Sequence, residues 1–497
     1  MPSASPNRWK VCAFRLAAVL IGLAPLVLVE AALVVLDIGH PSESGDPFVG
    51  FSSVRPLFVP SGDGARYEIA PYRLEQFVLE SFEADKPAAA FRIFVIGDST
   101  VQGNPWSIET SFTKWLELSL QAADPSRHWD VVNCGGISYA SYRVVPIVQE
   151  VLGYQPDLLI VHSSHNEFLE DRTYGRIKRM PRGVAWTCER LSRLRTTNVL
   201  SDGVRRLAGR AEDNAAKDRT VLAAEVEALL DYRGGLEFYH RDDEWRQGVI
   251  AHYEFNLRRM AAIARDAGVP CIFINPALNL RDSPPFKSEH RADISADEAD
   301  RFDELWTEAR SYYANDRPRA LRLLRAAVAI DDQHAGLRYD IAKCLDAMGL
   351  VEDARREYVA AKELDICPLR ILESMNQAVL DVGHDTQTPV MDARKLFEQL
   401  SRHGIPGGDW FVDHVHPSIR GYQMLAGELA DELVRLGVVR PGESWTARRD
   451  ELYAEHLRSL DTLYFTKGQQ HLDGLMTWAQ GRVTKQRPAS TKGPKAP

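Results

Sequence analysis

Five short apolar runs punctuate the chain: Arg92–Ile96, Val131–Asn133, Leu158–His162, Cys271–Asn275 and Val390–Met391. Most are rich in Val, Ile, Leu or Phe with little polar alternation, the pattern of a strand buried on both faces. Between them the period lengthens. Val144–Leu152 predicts a helix between the second and third strands. Ile250, Tyr253, Leu257, Met260 and Ala264 fall at spacings of three and four, with Gly268 past the end, and predict another. Short apolar strands alternating with helices imply an α/β fold, a parallel sheet of five strands covered by helices on both faces.

The longest apolar run is N-terminal. Leu16–Leu36 is broken only by Pro25 and Glu30, and as a helix it would span roughly 30 Å, one hydrocarbon core. Arg8, Lys10 and Arg15 precede it, and Asp37, Glu43 and Asp46 follow. That bias predicts a cytoplasmic N-terminus at 1–15, a single-pass transmembrane anchor at 16–36, and an extracytoplasmic, periplasmic remainder. No convincing small-x-small cleavage site precedes Asp37, and the apolar stretch is long, which argues against a removed signal peptide. Glu30 is expected near the outer interface, within reach of water. Residues 46–90 alternate aromatics with Gly, Pro and polar residues and read as an irregular or short-stranded lead-in.

A second period lies further on. Ala320 and Ala354, Ala327 and Ala361, and Asp331 and Asp365 are each 34 residues apart. The pattern resembles the tetratricopeptide repeat, two copies of which would occupy about 303–364 within a helical insertion at 301–368. Two copies are fewer than a free-standing solenoid needs. They would form a helical prop, or a groove for a protein partner. Helical patterns resume at 441–481, and 482–497 has the composition of a disordered tail.

At 497 residues, 45% hydrophobic and 26% charged, the chain has material for more than one core. With a net charge of −9 and no basic stripe interleaved with aromatics, it is not expected to bind nucleic acid. The six cysteines show no CxxC or metal spacing. Cys134 and Cys271 read as small core residues, and Cys344 with Cys367 is the pair that would bridge were their segments to meet.

Candidate chemistry gathers at the strand ends. The first strand ends in Gly97-Asp98-Ser99, at a position where open α/β sheets place ligands and nucleophiles. A serine needs a base, and Asp413-His414-Val415-His416-Pro417 offers a histidine with a carboxylate three residues before it. Asn133-Cys134-Gly135-Gly136-Ile137-Ser138 follows the second strand and His162-Ser163-Ser164-His165-Asn166-Glu167 the third.

These four blocks, in this order, resemble the SGNH (GDSL) hydrolase superfamily. The resemblance implies a flavodoxin-like three-layer fold, split here into 91–300 and 369–440 by the insertion. It makes Ser99 the nucleophile, His416 the base and Asp413 its orienting carboxylate, with no metal or cofactor. The oxyanion would meet the N–H of Ser99, the amide of Asn166 and a backbone N–H of the second block. The family has glycine where this chain has Ser138, which leaves Ser138 and Gly136 as rivals for that donor. Glu167 stands where the family has Asp. The activity implied is a serine esterase or deacylase working on an O-acyl ester, such as an O-acetyl group on a carbohydrate. An O-acyltransferase with the same triad, or an inactive scaffold, are the alternatives. Asn279, Arg281, Arg143 and Arg172 follow strands and read as candidates for an acidic substrate group or as structural charges. A metal site built from His162, His165, Asp413, His414 and His416 is a rival reading that leaves Ser99 without a task.

Overall fold

In a computed structural model of the chain, residues 53–170 and 234–480 are described continuously, with short runs at 24–25, 27–36, 38, 194–197, 199–200, 221–222 and 228–231. The chain divides into two compact units, 1–53 with 179–221 and 54–178 with 222–497. In the first unit Glu30, the acid within the apolar run, accepts hydrogen bonds from the N–H groups of Arg195 and Thr196 at 2.7 and 2.8 Å. Among the described residues no helix is long and apolar enough to cross a membrane; the expected span 16–36 lies partly outside them. Cys12, Cys188, Arg172 and the 482–497 tail lie outside them entirely.

The second unit begins with a small antiparallel sheet, β1 (Phe58–Pro60), β2 (Arg66–Ile69) and β3 (Ser81–Glu83). This lead-in is not an appendage. Leu57, Phe58, Ile69 and Phe82 join the same core as Phe94 of the main sheet, and Glu150 accepts from the N–H groups of Leu57 and Phe58 at 2.7 and 2.9 Å.

The main sheet holds β4 (Ala90–Gly97), β5 (His128–Gly135), β6 (Leu158–His162), β7 (Cys271–Asn275) and β8 (Val390–Asp392). They lie in the order β5-β4-β6-β7-β8, every neighbouring pair parallel, which is the flavodoxin-like order. Side chains alternate faces along each strand. Ile93, Val95, Leu158, Ile160, Ile272 and Ile274 face one core, with helices 112–123 and 419–435. Phe94, Ile96, Leu159, Val161 and Phe273 face the other, with helices 141–151, 243–266 and 373–386. Burial on both faces is why the strands read as unbroken apolar runs.

The insertion is helical throughout: 296–311, 317–328, 335–347 and 351–363. The 34-residue spacing is a packing period, since Ala320, Ala327, Ala354 and Ala361 are all buried. The paired aspartates fasten the stack to the chain before it. Asp331 accepts from the N–H groups of Gln333 and Arg291 at 2.9 and 3.2 Å. Asp365 accepts from Phe286, Lys287 and Cys367 at 2.8, 3.1 and 3.0 Å. Cys344 and Cys367 do not pair. Both thiols are free and buried, the first in the core of the helical stack and the second in that of the main sheet.

Candidate active site

Sterics decide how the first strand can end. In register, Gly97 of β4 stands between Gly135 and His162. A Cβ on Gly97 would lie 1.8 Å from the His162 carbonyl oxygen, and one on Gly135 would lie 2.2 Å from Gln102 N. Glycine at 97 lets the third-strand backbone close in, and glycine at 135 lets the short helix after Asp98 pack on the second strand's end. Asp98 then caps the short helix 99–102, accepting from Thr100 N–H at 3.0 Å. Burial opposes its ionisation, but His162, its Nδ1 3.3 Å away, and His165 hold its pKa down at about 2.

Ser99 opens that helix and is 8% exposed. Its Oγ lies 2.7 Å from His416 Nε2. His416 Nδ1 lies 2.6 Å from Asp413 Oδ2, while Asp413 Oδ1 accepts from the N–H groups of Val415 and His416 at 2.9 and 2.7 Å. A buried carboxylate is costly unless its lone pairs meet donors, and here the tight turn supplies two N–H groups and the imidazole a third donor. Burial works against a charged imidazole at His416, yet Asp413 outweighs it and raises the His416 pKa above its ordinary value. Asp413 itself is held well below the usual carboxylate range; burial is overcome by His416 and His414. His414 is different: burial dominates and keeps it neutral, with a pKa of about 4. Its ring lies edge-on to Phe286, 5.0 Å between centroids.

The rivals for the second-block donor separate. Gly136 N–H donates to Gly97 O at 3.0 Å, prolonging the β4–β5 ladder, and is occupied. Ser138 sits at φ 61°, the left-handed conformation that glycine adopts most readily. No described residue accepts from the N–H of Ser138 or of Ser99. Asn166 Nδ2 donates to Tyr139 O at 3.2 Å, which ties the third block to the second and leaves a second amide hydrogen.

Other residues are structural. Glu167 accepts from Ser141 N–H and Oγ at 2.7 and 2.9 Å. It thereby caps helix 141–151, whose own N-cap, Ala140, has no capping side chain. Arg143 is buried against Glu170, with Nε and Nη2 each at 2.8 Å. Arg281 pairs with Asp346 at 3.1 Å. Asn279 is not a substrate ligand in waiting: its Nδ2 donates to Asp413 O at 2.9 Å and its N–H to His414 O at 3.0 Å. Sequence reading missed this brace, and no local spacing links positions 279 and 413. Among the described residues no three His, Cys, Asp or Glu are grouped so as to hold a metal ion; His165 Nδ1 already accepts from Ile371 N–H at 3.2 Å.

Beside Asp413 and His414 lies a cavity of about 520 Å³. Leu236, Pro284, Pro285, Phe286, Phe411 and Met476 form an apolar wall, Asp282, Ser283 and Gln480 a polar one, and among the described residues no lysine or arginine lines it.

A comparison with protein-family models finds no match, nor does one with curated protein sequences. Among solved structures the chain is similar to a lipase/acylhydrolase from Enterococcus faecalis, at 12% identity and a TM-score of 0.31, over 71% of this chain and 100% of that one. It is also similar to LAE5, an alpha/beta hydrolase enzyme from the metagenome of Lake Arreo, Spain, at 11% identity and a TM-score of 0.32, covering 70% and 95%. A third, from Desulfitobacterium hafniense DCB-2 and ascribed to the G-D-S-L lipolytic family, matches at 10% identity and a TM-score of 0.28, covering 68% and 98%. Resemblance this distant leaves the chemistry to be argued from the side chains.

Proposed function

We propose that the chain is a serine hydrolase acting on esters through an acyl-enzyme. The observation that carries this is the unbroken relay Ser99 Oγ–His416 Nε2–Asp413, at 2.7 and 2.6 Å, at the carboxyl end of a parallel sheet. His416 takes the Ser99 proton as Oγ attacks the ester carbonyl carbon. The carbonyl electron pair moves onto oxygen, where the N–H groups of Ser99 and Ser138 and the free amide hydrogen of Asn166 receive it. Each well-placed donor is worth about 3–4 kcal/mol of transition-state stabilisation. The intermediate collapses, the C–O bond to the alcohol breaks, and His416 returns the proton to the departing oxygen. Water, deprotonated by the same imidazole, then attacks the acyl carbon; the bond to Ser99 Oγ breaks, His416 returns the proton to Oγ, and the acid is released. Asp413 keeps Nδ1–H pointed at itself, so that Nε2 remains the base.

The cavity beside His414, with one apolar wall, the carboxylate of Asp282 in its lining and no described lysine or arginine, supports an ester with a hydrocarbon portion rather than an anionic one. O-acylated carbohydrate remains within the proposal as the alcohol side, reached outside the membrane if residues 16–36 anchor the chain. Fluorophosphonate labelling tests the nucleophile, and p-nitrophenyl esters of rising chain length test the cavity. Labelling of the parent and none of Ser99→Ala is the expected result. Equal labelling of both would sink the reading. Turnover that does not respond to chain length would remove the cavity from it.

A further inference from the structure

The exit of the helical insertion reaches both halves of the candidate site. Arg370, only 3% exposed, lies just beyond the last insertion helix. Its Nη1 donates to two carbonyl oxygens, Asn279 at 3.2 Å and Ser283 at 2.7 Å. Asn279 holds the base loop by its N–H on His414 O and its amide on Asp413 O. One residue after Arg370, Ile371 N–H donates to His165 Nδ1, beside Asn166. The segment is anchored upstream by Asp365, which receives three backbone N–H groups and stands 3.8 Å from the Arg370 guanidinium. A buried guanidinium needs fixed partners; here Nη1 meets the carbonyls of Asn279 and Ser283, while Nε has no hydrogen-bond partner among the described residues.

We infer that Asp365–Leu372 is a strap joining the base loop to the oxyanion loop, with Arg370 as a positioning residue that sets Asp413 and His416 through Asn279. The inference rests on the serine-hydrolase reading for its meaning, but not for its geometry. It gives the insertion a task at the site: the helices hold the strap at one end, and helix 373–386 holds it at the other.

The test uses the full chain carrying Arg370→Met, Arg370→Lys or Asn279→Ala, each checked for folding by thermal melting. Three readouts are compared: kcat against KM on a p-nitrophenyl ester, the acid limb of kcat/KM, and the His416 titration followed by NMR. In Arg370→Met and Asn279→Ala, kcat falls about tenfold to a hundredfold, as displacements near 1 Å do, and KM stays within about twofold. The acid limb and the His416 midpoint both move to lower pH, because a slackened Asp413 supports the imidazolium less. Arg370→Lys, reaching one carbonyl, falls between. A purely structural role predicts lower melting temperatures with parent kcat, KM and His416 midpoint, and that outcome overturns the strap. If Arg370→Met does not fold, Arg370→Lys and Asn279→Ala decide by the same measures. The NMR arm needs no substrate. A parent that resists fluorophosphonate while His416 still responds to Arg370→Met would refute the hydrolase reading and leave the strap standing.

Discussion

Two histidine loops stand at the same end of the sheet and behave in opposite ways. In the base loop His416 is buried against a carboxylate that holds its charge, and its pKa is raised. In the third-block loop His165 is equally buried, but its Nδ1 meets a backbone N–H from Ile371, and burial takes its pKa down to about 3. The difference is the partner. Asp98 pushes the His165 pKa up without outweighing burial, so that imidazole stays a neutral acceptor, whereas Asp413, 2.6 Å from His416 Nδ1, outweighs burial and leaves a base that can hold a proton.

The sharpest way to break the contrast is to remove what the base loop serves. Ser99→Ala should lose all turnover of a p-nitrophenyl ester above background, and parent-level rates in the variant would end the triad assignment. Asp413→Asn comes next, with kcat lower by about 10⁴-fold because the imidazole loses its tautomer and its charge partner. Its residual activity should also show an acid limb at lower pH than the parent. Activity requires neutral His416, so raising that pKa places the parent's limb above the ordinary histidine range, and removing the anion lets burial pull it down. A limb that stays in place would mean that Asp413 does not tune the base.

Asn166→Ala tests the opposite loop as an electrostatic device and should lower kcat by about 10²–10³-fold with little change in KM; a loss confined to KM would make Asn166 a substrate ligand instead. Ser138 offers a finer probe. Ser138→Gly should keep the parent kcat, while Ser138→Val forces a β-branched residue into the left-handed region at about 1–2 kcal/mol, lowering the melting temperature and kcat together. Equal behaviour of the two variants would show that this backbone conformation does not matter. The smallest effect is expected of His165→Asn, which keeps an acceptor for Ile371 N–H. Its acid limb should coincide with the parent's, because a group with a pKa near 3 does not titrate in the working range. A displaced limb would mean that His165 shares the proton chemistry.

Much of the sheet was legible because each strand is short, apolar and buried on both sides, so Arg92–Ile96 and Leu158–His162 stand out without reference to anything distant. Asp413 and His416 were legible for a similar reason, since a three-residue spacing carries their whole interaction. The rival donors at Ser138 and Gly136 could not be separated by inspection. What separates them is a ladder bond from Gly136 to Gly97 and a dihedral angle at Ser138, neither of which leaves a trace in residue type. The lead-in was legible only as irregular or short-stranded; brevity and mixed polarity hid the positions of its strands 58–60, 66–69 and 81–83. Asn279, Glu167 and Arg370 were hidden by distance: each acts on a partner brought near only by the crossovers of the sheet. Arg370 in particular looks like any surface arginine until Asn279 and Ser283 close around it.

The separation of Ser99 from His416, 317 residues, bears on how the protein comes into being. Contacts so remote in sequence must wait for the intervening chain, and proteins dominated by such pairings fold slowly. A nascent chain that has emerged only through helix 99–102 carries Ser99 without His416, and a sheet whose other four strands are still to come. With the proposed triad, competence arrives only with the final fifth of the polypeptide. Truncated or stalled products are inert toward the esters that the finished molecule is proposed to cleave.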